Sequence, residues 1–70
     1  MSLLDVELEK EYLVQDIESE DEELKKFLFT LGCYKGEPVT VINKLRRNLI
    51  LSIKDARYSI DLNLAKQIRV

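Results

Sequence analysis

The chain's only two glycines, Gly32 and Gly36, stand four residues apart in "LGCYKGEPVTV", residues 31 to 41. What lies on either side of them changes character. The preceding stretch, "SEDEELKKFLFTLG", carries a helical signature. Leu24, Phe27, Leu28 and Leu31 fall at i, i+3, i+4 and i+7, which predicts one apolar stripe on a helix. Ser19 followed by Glu22 has the spacing of a capping box. Acidic residues 20 to 23 occupy the first turn, where the helix dipole favours negative charge. Glu22 and Lys26 have the spacing of an i,i+4 ion pair. Gly32 then stands where a helix ends through a left-handed residue. Beyond it, Lys35-Gly36-Glu37-Pro38 reads as a tight turn, with the proline at the start of a strand.

Several segments outside the helix alternate with the period of a strand. Tyr12 to Ile17 reads as one strand, with Leu13 and Ile17 on one face and Tyr12 and Val14 on the other. Val39 and Val41 share a face of the next strand. "NKLRRN", residues 43 to 48, is a basic connection. "LILSI" places Leu49, Leu51 and Ile53 on one face, "KDA" turns, and "RYSI" is a further strand. Asp61 or Asn63 can start one helical turn through "LAKQ", and "IRV" closes as a last strand. A strand, a helix and then several short strands imply a mostly β fold with one main helix (α+β). The pattern fits a small bent barrel that hides its strand edges. No repeat or linker divides the chain, so residues 1–70 form one domain.

Composition narrows the chemistry. Histidine is absent, which removes the commonest general base, transition-metal ligand and pH switch together. The single cysteine, Cys33, cannot form an internal disulfide. One thiol without histidine makes neither a soft nor a borderline metal site, so Cys33 reads as a small buried hydrophobe. The acidic run from Glu18 to Glu23 reads as a solvated helix start, because consecutive carboxylates diverge. Neither a metal site nor a cofactor site is expected, and no catalytic set is visible. A net charge of −2 carries no basic surplus for nucleic acid or an anionic membrane. The acidic start lacks the basic flank and apolar run of a signal peptide, and no apolar stretch is long enough to cross a bilayer. These features point to the cytoplasm.

The motif order carries a resemblance. Leu31, Gly32, Cys33, Gly36, Val39 and Val41, followed by Ile60, Ala65, Ile68 and Val70, are spaced as in the FeoA family of small proteins linked to bacterial ferrous iron transport. The match covers about residues 12 to 70. The resemblance implies an SH3-like barrel, a cytoplasmic location and no catalytic residues. It implies action with FeoB, a membrane transporter of Fe(II) that carries a GTPase domain. The family is also associated with transition-metal ions. A similar domain ends some metal-dependent repressors, where it contacts its own or a neighbouring chain; that is the alternative role. On this reading Ser19, Leu31, Gly32, Gly36 and Ala65 are structural.

What remains for function is contact. Phe29 lies off the helix stripe and Tyr34 sits just beyond the helix, so both are candidate partner anchors unless the sheet wraps this side too. Lys44, Arg46 and Arg47 read first as a solvated loop and next as a protein contact that steers a partner. The expected partner is the cytoplasmic region of a FeoB-like transporter. Neither nucleic acid nor membrane insertion is expected, and weak self-association is left open.

Overall fold

The computed structural model describes residues 1–70. Strands β1 (Glu11–Leu13) and β2 (Asp16–Ile17) precede helix α1 (Glu22–Leu31). Strands β3 (Pro38–Lys44), β4 (Asn48–Ile53) and β5 (Ala56–Asp61) follow, then a single helical turn α2 (Leu62–Ala65) and β6 (Ile68–Arg69). The strands form an antiparallel four-stranded sheet, β1-β3-β4-β5, and a two-stranded pair, β2-β6. The alternation read from the sequence holds. Val39, Val41, Leu49, Leu51 and Ile53 all turn into one core with Leu28, Ile60, Ala65 and Ile68.

The segment from Tyr12 to Ile17 is two strands rather than one. Val14 N–H donates to Glu37 O at 2.9 Å, still along β3, whereas Gln15 N–H donates to Arg69 O at 2.7 Å. The chain changes partners between these two residues, which makes a corner of the barrel and buries Val14. The first residues close the far side of β6. Ser2 bridges Arg69, Leu3 N–H donates to Ile68 O, and Val70 N–H donates to Met1 O. Leu3 and Val6 are buried in the core. Residues 1 to 11 are therefore part of the fold, beyond the reach of the sequence resemblance.

Three details of α1 depart from expectation. The N-cap is Asp21, not Ser19. Asp21 Oδ1 accepts from the backbone N–H of Glu23 at 3.0 Å and of Leu24 at 3.2 Å. Ser19 Oγ instead accepts from Asp21 N–H at 3.1 Å, shaping the turn before the cap. Glu22 thus occupies N1 and cannot close a capping box, which needs it at N3. No ion pair forms between Glu22 and Lys26. The buried seam is also narrower than the stripe: Leu28 is buried and Leu24 and Leu31 are partly covered, but Phe27 is 49% exposed. Phe27 lies roughly 60–70° round the helix from the seam's centre, beyond what the curved barrel surface reaches.

The two glycines do different work. Gly32 has φ 92 and ends α1: its N–H donates to Phe29 O and Cys33 N–H donates to Leu28 O, the paired bonds of a Schellman motif. Gly36 has φ 90 in a turn that runs Tyr34 to Glu37, one residue earlier than expected, closed by Glu37 N–H to Tyr34 O at 3.0 Å. A positive φ at the third position is the requirement of a type II turn. A Cβ at Gly36 would meet nothing within 4 Å, whereas one at Gly32 would lie 3.2 Å from Ile53 Cγ2 and from Lys54 Cδ.

Two stability outcomes follow from these geometries. Asp21→Ala should cost about 1 kcal/mol in chemical denaturation, and Ser19→Ala less, which reverses the order that a Ser19 cap requires. Gly36→Ala should cost about 1 kcal/mol through backbone strain alone. Gly32→Ala should cost clearly more, because strain and steric contact add there.

Candidate functional site

The end of α1 and the β4–β5 turn come together around Tyr34. Phe29 stacks on Tyr34 with ring centroids 4.7 Å apart and planes inclined by 29°. The helix places Phe29 opposite its buried seam, and the Schellman end swings the chain back so that Tyr34 lies beneath it. Phe29 is 64% exposed, so one ring face is packed and the rest meets solvent. The sheet does not wrap this side. Such a ring is already held in place, and little conformational freedom is lost when a partner covers it.

Lys54 completes the group. Its Nζ donates to the Tyr34 hydroxyl at 3.3 Å, lies 5.3 Å from the ring centroid and sits 3.7 Å from Glu37 Oε1. The Tyr34 hydrogen bond, then the charge of Glu37, raise the Lys54 ammonium above its ordinary pKa. Nothing in the sequence separated Lys54 from the other lysines. Its role arises because Lys54 and Asp55 both take positive φ, 49 and 68, in the two-residue turn. That turn brings the lysine stem across Gly32.

The basic candidates lie elsewhere. Arg47 precedes β4 and Lys54 follows it, so the two ends of that strand stand on the order of 20 Å apart. Phe29 and Tyr34 are thus one group, and the β3–β4 connection is another. Within that connection Lys44 belongs to β3, and its Nζ donates to Leu4 O at 2.8 Å, holding the N-terminal segment. Arg46 and Arg47 are exposed and form no ion pair within the chain. Leu31, Gly32 and Ala65 pack in or against the core, and Gly36 lies exposed at its turn.

Cys33 is 1% exposed, packed among core residues as a small hydrophobe. Burial pushes its thiol pKa up from 9.0 to about 11. No three acidic or thiol side chains converge as a metal-binding group, and no cavity opens into the domain. No helix is long and apolar enough to cross a membrane.

A barrel of this topology, with an open sheet edge, no cleft and an aromatic step at the helix end, is similar to known proteins. The FeoA domain model matches residues 1–70. The chain belongs to the FeoA family. Among solved structures, an iron uptake regulatory protein, FeoA, superimposes with a TM-score of 0.85 at 19% identity, over 97% of this chain and 91% of that one. FeoA of Stenotrophomonas maltophilia, solved with zinc and described as an SH3 domain protein and a candidate activating factor for ferrous iron transport, gives 0.82 at 22% identity. That match covers 97% of this chain and 86% of the other. A FeoA-like protein of Clostridium acetobutylicum gives 0.80 at 20% identity, over 97% and 80%. Among curated sequences none matches significantly. The SH3-like fold and the family membership are thereby shown for this chain.

The buried thiol sets a pH dependence. The folded state holds the Cys33 proton to a higher pH than the unfolded chain, so stability is full below pH 9 and falls as pH rises towards 11. The loss should reach about 2–3 kcal/mol by the top of that range. Comparing denaturation of the native chain and Cys33→Val from pH 8 to 11 isolates it: the variant should lack this part of the decline.

Proposed function

We propose that this protein is a non-enzymatic accessory factor that regulates or assists a FeoB-like ferrous iron transporter by direct contact with the transporter's cytoplasmic region. The match of the FeoA domain to the whole chain carries the reading. The relative described as a candidate transport activating factor supports the same direction. The side chains supply what a contact needs rather than what a reaction needs. There is no histidine, no nucleophile–base pair and no phosphate-binding glycine loop of the G-x-x-x-x-G-K-[ST] kind. A cytoplasmic location belongs to the same proposal, since the proposed contact is with the transporter's cytoplasmic region.

The Phe29–Tyr34 step is the apolar centre of the proposed interface, with Lys54 and Glu37 as its polar rim. Arg46 and Arg47, at the other end of β4, steer approach from a distance and do not share that centre. The repressor-tail role has no observation that specifically favours it, whereas the solved FeoA proteins favour the first reading.

The test is association of the intact protein with the transporter's cytoplasmic GTPase domain, measured by biolayer interferometry. Phe29→Ala combined with Tyr34→Ala should weaken it by about tenfold or more, with the fold retained by circular dichroism. Unchanged association would remove the aromatic step from the interface. Micromolar binding of Fe(II) or GTP by this chain alone, seen by calorimetry, would overturn the adaptor role itself.

A further inference from the structure

Strand β5 is the open edge of the larger sheet, and its backbone groups face in a known direction. Ile53 and Ala56 flank the two-residue turn and form the first hydrogen-bonded pair of the hairpin. At the other end, Leu62 N–H still donates to Arg47 O at 3.2 Å, in the same alternation. Residues 56, 58 and 60 therefore turn their amides towards β4. Arg57, Ser59 and Asp61 turn theirs outward, and no backbone bond from another segment reaches Arg57 or Ser59. All three side chains are exposed, while Ile60 is buried and Tyr58 is half-buried on the core side.

An open edge is usually protected by charge, because like charges repel a second strand. Here the spacing does the opposite for a copy of the same strand. Antiparallel pairing about Ser59 sets Ser59 against itself, Arg57 against Asp61 and Tyr58 against Ile60. Arg57 forms no ion pair within the chain. Asp61 uses Oδ1 to cap α2 through Leu64 N–H, which leaves Oδ2 for a partner. The outward residues are also the ones whose amides are free, so the register that matches charge is the register that can form hydrogen bonds. Ser59 N–H and C=O meet those of the second Ser59, and Asp61 N–H meets the second Arg57 C=O. The opposite edge, β1, lacks this property: antiparallel pairing centred on Tyr12 sets Glu11 against Leu13 and joins no opposite charges.

We propose that β5 pairs antiparallel with β5 of a second copy of this chain, centred on Ser59, to make a weak symmetric dimer with one continuous sheet. The short strand limits the buried area, which puts the contact among weak, transient interfaces. This proposal is independent of the transporter contact, and its test uses the protein alone.

Sedimentation equilibrium and nitrogen-15 amide spectra should be recorded from roughly 0.02 to 1 mM, the range in which an interface this small populates. The expected result is reversible dimerisation, with concentration-dependent shifts concentrated on residues 57 to 61. Arg57→Asp sets like charges opposite each other twice and should weaken association by about tenfold or more. Ser59→Pro removes an outward N–H without touching the β4 ladder and should abolish association. Circular dichroism checks that both variants fold, and the exposed Arg57→Asp site decides the matter if Ser59→Pro does not. A monomer at 1 mM would overturn the proposal. So would a dimer that Arg57→Asp leaves unchanged, since another surface would then make it.

Discussion

The helix end at Gly32 is held against the β4–β5 turn so closely that a side chain there would crowd its neighbours. A Cβ there would come within 3.2 Å of Ile53 and of the Lys54 stem. This approach sets what lies on either side of it. Cys33 is delivered straight into the core, Tyr34 is swung back under Phe29, and Lys54 is drawn across the join to reach the Tyr34 hydroxyl. The left-handed backbone and the tight approach are separate constraints, and glycine meets both without strain. The Gly36 turn then needs only the first, because it stands in open space.

The bend of the barrel depends on a second device, the exchange of partners between Val14 and Gln15. Before it the chain runs beside β3, and after it beside β6. Because β6 also receives Ser2 and Leu3, the two ends of the chain are hydrogen-bonded to each other through Val70 and Met1. A domain this small buries a limited fraction of its surface, so each buried side chain counts. Leu3 and Val6 enlarge the core from a segment with no regular element of its own, and Lys44 fastens that segment by its bond to Leu4 O.

The parts of the fold that were legible in the sequence are those governed by local rules. Alternation in β3 and β4 named the buried face, the apolar seam named α1, and glycine marked the helix end. The predictions failed where a nearer or more distant group won. Asp21, closer to the first turn than Ser19, took the cap. Phe27 fitted the helical period but lay beyond the curve of the sheet. The break inside residues 12 to 17 depends on β6, more than fifty residues later in the chain, and no local pattern announces it. The same holds at the candidate site. Phe29 and Tyr34 were visible as an aromatic pair off the stripe, but Lys54 joins them only through a turn whose contact with Gly32 exists in three dimensions.

The arrangement also separates two kinds of surface that the sequence had merged. Around Tyr34 the charges are paired within the chain, Lys54 with Glu37 and with the phenol, which suits them to a rim that stays hydrated rather than to a desolvated centre. The exposed ring of Phe29 is then the group left with surface to bury. On β3–β4, by contrast, Arg46 and Arg47 are unpaired and hydrated, and such charges act through their field before contact more than through contact itself. A domain without a cleft or a reactive group can still discriminate among partners this way. In the proposed interface, the aromatic step would set where a partner fits, and the distant arginines would bias the direction from which an acidic surface approaches.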